Sequence, residues 1–193
     1  GVDLHHELHL PVTQAALGAV LAFETLDGSE ELVVPRGTQT GRVFRLRPDG
    51  RLDCLLANVP SPNGIVLNPA ETYLFIAVTF GPQVWRGLFM PDGSLVKVGA
   101  FQTFSGGYSG PDGLAMDAQG GLAVCHNRLG TVWTFDARGE PVYRIRSCAG
   151  GMTTNLAFGG PGNRRLYITE SESGSILEAD LPVPGQPMFS HQA

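Results

Sequence analysis

Two short polar motifs carry the residues most able to do chemistry. The first is Ser61-Pro62-Asn63-Gly64, the second is Gly110-Pro111-Asp112-Gly113, and an apolar run follows each of them directly. Carboxamide and carboxylate oxygens are the ligands that hard divalent cations prefer. If Asn63 and Asp112 hold equivalent positions in a repeated fold, their oxygens converge on one cation. The pattern therefore predicts a metal site formed by Asn63 and Asp112.

The same dipeptides also have a purely structural interpretation, because Asn-Gly and Asp-Gly are ordinary signals of tight turns. Their phasing favours a site: both follow proline, both open an apolar run, and they lie 49 residues apart. A third, blurred copy follows at Thr154-Asn155, where Asn155 replaces the glycine. We predict that Thr154 and Asn155 line the site as substrate-binding polar groups. Asn155 has an alternative role in backbone geometry, because asparagine tolerates left-handed conformations.

The elements that position these residues repeat with the same spacing. A second strand-like run follows each motif, at 74–79, 122–127 and 166–171. Turn signals recur at Pro48-Asp49-Gly50, Pro91-Asp92-Gly93 and Ala137-Arg138-Gly139. A period of roughly 40 to 50 residues built from short strands is typical of a β-propeller with one four-stranded blade per repeat. The fold class is therefore all-β, and the innermost strands of the blades bring the motifs together at the propeller axis.

Composition limits the possible partners. The net charge is -5, only 16% of residues are charged, and no Lys/Arg cluster offers a stripe for phosphates, which argues against a nucleic-acid partner. No run of 18 apolar residues suggests a membrane span, and the first residues lack the order of a signal peptide. Three widely spaced cysteines, Cys54, Cys125 and Cys148, are expected to be free and buried, which predicts a cytoplasmic location.

The motifs quoted above, together with the run Leu166-Tyr167-Ile168-Thr169-Glu170-Ser171-Glu172-Ser173-Gly174, resemble the gluconolactonase/regucalcin (senescence marker protein) family of sugar lactone lactonases. The resemblance extends over residues 41 to 191. It implies a six-bladed β-propeller that holds one divalent cation in its axial channel and hydrolyses sugar lactones or related esters. It also implies that Asn63 and Asp112 are two of the protein ligands, and that Asp112 is the catalytic base.

The chemistry implied by the resemblance agrees with the residue types. A bound divalent cation polarises a lactone carbonyl, and a carboxylate beside it accepts the proton of the attacking water. Oxygen ligands without cysteine favour Ca²⁺ as the first expectation, with Zn²⁺, Mg²⁺ or Mn²⁺ as alternatives. The sequence therefore predicts a metal-dependent lactonase whose partner is a small-molecule lactone.

The chain departs from the family in its length and in its first 40 residues. Counting strands back from the C-terminus gives a blade without its fourth strand (154–185), two complete blades (about 111–148 and 63–104) and a strand pair (41–59). We predict a single propeller domain over 1–193, short by about two blades and either partial or four-bladed. Residues 1–40 are a divergent part with a candidate ring-closing strand in 3–18. Where the family has a metal-ligating glutamate after Leu-Gly, this chain has Ala19.

These departures leave two alternatives to an active lactonase. The first is a propeller that binds a ligand without catalysis, and the second is an inactive truncated family member that lacks the glutamate ligand. Assembly with another copy into a homo-oligomer is a further arrangement, since an open arc exposes blade faces. His126 and Glu170, at the ends of the second strand-like runs, are expected to be packing or solvated residues.

Overall fold

The computed structural model describes residues 10–25, 28–39, 41–47 and 51–187. These residues are almost entirely β-structure, with one six-residue helix, α1 (Val12–Leu17), and one turn of 3₁₀ helix at Pro161–Asn163. The prediction of an all-β fold is confirmed. The strands are β1 (Ala19–Thr25), β2 (Gly28–Val34), β3 (Val43–Leu46), β4 (Leu52–Leu56), β5 (Pro62–Leu67), β6 (Tyr73–Val78), β7 (Gln83–Phe89), β8 (Leu95–Thr103), β9 (Pro111–Met116), β10 (Leu122–His126), β11 (Thr131–Phe135), β12 (Pro141–Arg146), β13 (Thr153–Gly159), β14 (Arg165–Glu170) and β15 (Ser175–Asp180).

The chain forms two compact units, Val2–Pro62 and Asn63–Ala193. The N-terminal unit contains α1 and two antiparallel hairpins, β1–β2 and β3–β4. In the first hairpin, Leu32 and Val34 are buried, whereas the cross-strand neighbours Val20 and Val33 are exposed. Residues 12–17 of the segment in which a ring-closing strand was expected form a helix, and residues 3–9 lie outside the described part of the chain.

The second unit is a series of antiparallel sheets in which each strand pairs with its sequence neighbour. The sheets are β5-β6-β7-β8, β9-β10-β11-β12 and β13-β14-β15. The two complete blades, the blade without a fourth strand and the preceding strand pair β3–β4 agree with the repeat in the sequence. These sheets are successive blades of a β-propeller, two of them with four strands and one with three among the described residues. Among the described residues, β15 pairs with β14 alone.

Reversals of the chain occur where the turn signals predict them. Gly93 and Gly139 have φ values of 82° and 93°, which an L-residue rarely adopts. The carboxylate of Asp92 accepts the backbone N–H of Ser94 at 2.8 Å, and Asp136 accepts that of Arg138 at 2.9 Å. Both carboxylates thus hold the turn locally. The turn expected at residues 48–50 lies outside the described residues.

The core of the second unit lies on both faces of the middle sheet. One apolar cluster joins it to the sheet of β5–β8, and a second joins it to the sheet of β13–β15. Every residue of β9 and β10 is therefore buried. Burying one such aliphatic side chain stabilises a fold by about 1.5–3 kcal/mol. The first cluster includes Phe75, Val84, Leu122 and Val124, and the second includes Cys125, Val132, Leu156 and Leu166.

The expectation that the cysteines are buried is correct only for Cys125. Cys54 and Cys148 are exposed, although all three are free. Cys54 occupies an outward position of β4, and Cys148 lies in the loop after β12 rather than in a strand. For Cys54, strand-like surroundings in the sequence did not distinguish the two faces of a sheet. The cytoplasmic location remains a prediction. No helix in the described part of the chain has the length and hydropathy required to cross a membrane.

Candidate functional site

The opening strands of the three sheets, β5, β9 and β13, approach one another closely at the predicted motifs. A Cβ placed on Gly64 would lie 2.7 Å from the backbone nitrogen of Leu114. One placed on Gly113 would lie 2.6 Å from the Cα of Asn155. Both distances are shorter than any side chain tolerates, so each glycine allows one opening strand to touch the next. Asn63-Gly64 lies inside β5 and Asp112-Gly113 inside β9, so the interpretation as tight turns is wrong.

Asp112 is the second residue of β9, and only 9% of its surface is exposed. The Nδ2 of Asn127 donates a hydrogen bond to its Oδ2 at 2.8 Å. Burial, and to a smaller extent the nearby Asp112 carboxylate, raise the pKa of the Cys125 thiol well above its usual range. Asp112 thus places a negative charge at the buried start of the central blade.

Asn63 occupies the equivalent position in β5 but is exposed. Its Nδ2 donates to the hydroxyl of Thr79 at 3.4 Å, and that hydroxyl donates to the carbonyl oxygen of Pro111 at 2.9 Å. Pro111 directly precedes Asp112, so Thr79 links the two predicted metal ligands across neighbouring blades. The structure brings the two motifs together. That both side chains hold one cation remains a prediction.

Thr79 and Asn127 are site residues that the sequence analysis missed. Each directly follows the last paired residue of a second strand, Val78 in β6 and His126 in β10. They are equivalent positions in two blades, and each supports the predicted ligand of its own blade. A signal was present in the sequence, because both residues end the strand-like runs that repeat with the blade period.

The third blade differs from the other two. The hydroxyls of Thr154 and Thr169 lie 2.9 Å apart, and Thr154 is half-buried. Asn155 is exposed, and its Oδ1 accepts the backbone N–H of Leu156 at 2.9 Å. Asn155 does not have a positive φ, so the left-handed interpretation is wrong. The role of Thr154 and Asn155 in binding substrate remains a prediction.

β-Bulges lie at the site in two successive blades. In β9, Asp112 and Gly113 together oppose Cys125, and in β13 Thr154 is the extra residue. A bulge leaves a residue out of the ladder and changes the direction of its side chain. The repeated bulge therefore sets how Asp112 and Thr154 project from the opening strands.

His126 and Glu170 end the second strands and are each 1% exposed. The His126 Nε2 lies 3.1 Å from the carbonyl oxygen of Ser109, and burial lowers the imidazole pKa. Hydrogen bonds from the Ser173 hydroxyl and from backbone N–H groups lower the pKa of Glu170 to about 2 despite its burial. Both residues hold loops in place, as the packing interpretation expected.

The side-chain atoms near Asp112 that could bind a metal ion are carboxylate and amide oxygens. In the described part of the chain, no group of three His, Cys, Asp or Glu side chains is arranged to hold a metal ion. The Oδ1 of Asn127 is, however, buried beside Asp112 without a hydrogen-bond partner. A buried carboxylate next to an unsatisfied amide oxygen fits a hard, oxygen-preferring cation such as Ca²⁺.

Comparison with known proteins gives relatives of two kinds. The gluconolactonase of Zymomonas mobilis subsp. mobilis (strain ATCC 31821 / ZM4 / CP4) is 33% identical over 139 residues, which cover 68% of this chain and 38% of that protein. The chaperone protein DnaJ of Bordetella bronchiseptica (strain ATCC BAA-588 / NCTC 13252 / RB50) is 54% identical over 50 residues, or 26% of this chain and 13% of that protein.

A solved structure supports the propeller fold. The gluconolactonase XC5397 from Xanthomonas campestris superposes with a TM-score of 0.60 at 31% identity, covering 74% of this chain and 44% of that one. The chain thus spans less than half the length of the gluconolactonases that it matches. The profile of the SMP-30/Gluconolactonase/LRE-like region matches residues 24–172, which is most of the sequence. On this evidence the chain belongs to the SMP-30/gluconolactonase family.

Proposed function

We propose that this chain is a metal-dependent hydrolase that opens a sugar lactone or a related ester. The observation that carries the proposal is the buried Asp112 carboxylate, held at the start of an inner strand and linked through Thr79 to Asn63. Membership of the gluconolactonase family supports this type of reaction. The chain spans 38% of its gluconolactonase relative. The proposal therefore assigns roles only to residues that this chain contains.

In the proposed reaction, water adds to the lactone carbonyl carbon, the ring C–O bond breaks, and the product is a hydroxy acid. Asp112 accepts the proton of the attacking water, and the proton is then delivered to the ring oxygen that leaves. Asn63 and Asp112 would hold the divalent cation, with Ca²⁺ as the first candidate. When bound, the cation supplies Lewis-acid polarisation of the carbonyl. Thr154 and Asn155 would contact the substrate hydroxyls.

The test is the change Asp112→Asn in the complete chain, assayed by pH-stat titration of glucono-lactone hydrolysis in the presence of Ca²⁺. We expect the rate to fall by about 10²–10⁴-fold, because general-base catalysis contributes an acceleration of that size. The matched control is Asp92→Asn, which alters a carboxylate in the surface turn after β7 and should leave the rate unchanged. A fully active, folded Asp112→Asn variant would contradict the proposal. Absence of hydrolysis by the wild-type chain would favour the non-catalytic binding module.

We also infer a second function, of the chaperone type, for the N-terminal unit. The gluconolactonase motifs all lie from residue 61 onward, and residues 1–23 precede the stretch that the family profile matches. The match to DnaJ extends over 50 residues, a length that the unit Val2–Pro62 could contain. The hairpin of this unit has apolar residues on both faces, since Val20 and Val33 are 61% and 52% exposed. Val20 and Val33 lie directly opposite each other, and in this proposal the pair contacts the apolar segments of non-native polypeptides.

A further inference from the structure

The side chain of Asn127 is the least explained polar group near the candidate site. Its Oδ1 is buried and has no hydrogen-bond partner, whereas its Nδ2 donates to the Asp112 carboxylate at 2.8 Å. Buried acceptors in folded proteins are almost always paired, so an unpaired one requires an explanation. The described residues contain other such atoms only in Asn163 and Gln186. Of these three unpaired oxygen atoms, only the Oδ1 of Asn127 belongs to a side chain that contacts a predicted metal ligand, Asp112.

The orientation of this amide follows from its neighbour. An ionised carboxylate accepts hydrogen bonds and offers no donor, so the NH₂ group of Asn127 must face Asp112. Turning the amide over would place two oxygens against each other. The Oδ1 is therefore the atom left without a donor, and it lies on the same amide group as the nitrogen bonded to Asp112.

The backbone holds Asn127 in this position. Its N–H donates to the carbonyl oxygen of Gly110 at 3.2 Å, which ties the end of β10 to the residue just before Pro111 and Asp112. The next residue, Arg128, has a φ of 60°, a conformation uncommon for a residue other than glycine. Strained residues of this kind concentrate at functional sites, where the surrounding structure over-determines them.

A cation would satisfy both groups at once. Ca²⁺ binds oxygens at about 2.3–2.6 Å, so two of its ligands lie within about 5 Å of each other. The Asn127 Oδ1 and the Asp112 Oδ2 meet this limit. The amide nitrogen of Asn127 lies 2.8 Å from that Oδ2, and it is bonded to the same carbon atom as Oδ1.

From these observations we propose that the Oδ1 of Asn127 is a protein ligand of the divalent cation, beside Asn63 and Asp112. This inference rests on the proposed metal site and adds to it a residue from the end of β10. The amide has two tasks: its nitrogen orients the Asp112 carboxylate, and its oxygen completes the set of protein donors.

The experiment is calorimetric titration of the complete chain with CaCl₂, together with the Ca²⁺-induced rise in melting temperature. Asn127→Ala should weaken Ca²⁺ binding at least tenfold and shrink the thermal shift. Asn127→Asp keeps an oxygen in place and adds a charge, so it should bind Ca²⁺ more tightly than the wild type. The matched control is Asn163→Gly, which removes the other asparagine with a buried unpaired oxygen and suits a φ of 55°. Its Ca²⁺ affinity should equal that of the wild type.

The outcomes separate this inference from the proposed function. Ca²⁺ binding by the wild type that is unchanged in a folded Asn127→Ala variant overturns the inference and leaves the metal site of Asn63 and Asp112 standing. Should Asn127→Ala fail to fold, weaker Ca²⁺ binding by Asn127→Asp than by the wild type overturns it equally. A wild-type chain that binds none of Ca²⁺, Mg²⁺, Mn²⁺ and Zn²⁺ overturns the metal site itself, and the inference with it.

Discussion

The glycines of the two motifs show how a single residue decides the geometry of the site. Gly64 and Gly113 do not have positive φ values, so neither serves a turn. Each lies where the backbone of the next opening strand leaves no room for a Cβ. The conformational freedom usually associated with Asn-Gly and Asp-Gly is therefore not used here. What matters is the small volume of glycine, which lets Asn63 and Asp112 approach across the blades.

This leads to a prediction about stability. Gly64→Ala should destabilise the chain by about 1–3 kcal/mol, because overpacking forces the backbone of β9 away. The matched control is Gly99→Ala in β8, where a Cβ would meet nothing within 4 Å. It should be neutral or stabilising by up to about 1 kcal/mol, because alanine reduces the entropy of the unfolded chain. Urea denaturation measures both changes, and equal midpoints for the two variants would contradict the close approach.

Among the elements, the ends of the second strands have different tasks in successive blades. β6 ends at Val78, β10 at His126 and β14 at Glu170, and all three are buried. In the third blade the carboxylate of Glu170 accepts the N–H groups of Gly150 at 3.2 Å and Met152 at 3.0 Å. It thereby holds the loop that leads into β13, the strand that carries Thr154 and Asn155. A buried charge is tolerated because it is fully hydrogen-bonded.

The lowered pKa of Glu170 predicts a pH dependence of stability. The pKa is about 2 in the folded chain against 4.5 for the unperturbed group, so between these values the unfolded state binds the proton preferentially. The free energy of unfolding supplied by this group is complete above pH about 4.5 and is lost as the pH falls towards 2. Glu170→Gln should therefore lower the urea midpoint at pH 7, and the difference should disappear near pH 2.

The matched control for Glu170→Gln is Glu178→Gln. Glu178 lies in β15, and its exposed carboxylate pairs with Arg165 at 3.3 Å. Exposed pairs of this kind contribute little, so its urea midpoint should follow the wild type across the whole range. Denaturation curves measured from pH 7 to pH 2 provide the comparison. A constant difference between wild type and Glu170→Gln at every pH would show that the charge of Glu170 is not what holds the loop.

At the scale of the whole molecule, the chain contains two compact units, and its relatives are of two kinds. The second unit contains three successive propeller sheets. The chain as a whole spans less than half the length of its gluconolactonase relative. Relatives named DnaJ match 50 residues of the chain. The expectation of one propeller domain over 1–193, with a divergent start, stays a prediction.

The proposed chaperone-type function predicts that the complete chain slows the aggregation of a chemically denatured test protein, followed by light scattering. Val20→Lys combined with Val33→Glu should weaken this effect, because it places an opposite-charge pair on the exposed apolar face. The pair lies directly across the two strands and so preserves the hairpin. Ile176→Glu on β15, which removes an exposed apolar residue of the other unit, is the control and should have no effect.

Equal suppression of aggregation by all of these variants would contradict a role for the hairpin. Lactone hydrolysis by the Val20→Lys/Val33→Glu chain should match the wild type, because no residue of the candidate site is altered. The two proposed functions are therefore tested independently in the same preparation of protein.

The sequence by itself determined the blades and the two motifs. Strand-like runs at a fixed spacing predict the sheets correctly, because pairing between sequence neighbours is local and each hairpin carries its own turn signal. The positions of Asn63 and Asp112 at the start of inner strands follow from the same repeat. The burial of Cys54 was predicted wrongly, since composition near a residue does not reveal which face of a sheet it occupies. The burial of Cys148 was predicted wrongly because this residue lies in the loop after β12.

Only the tertiary structure decided which partners these residues meet. Asn127 adjoins Asp112 because a bulge and the end of β10 place it there, and Thr79 reaches Pro111 because two blades pack side by side. The reason for glycine at positions 64 and 113 likewise exists only once neighbouring strands are in contact. Contacts between residues that are distant along the chain depend on how neighbouring sheets pack. A local sequence pattern does not determine this packing.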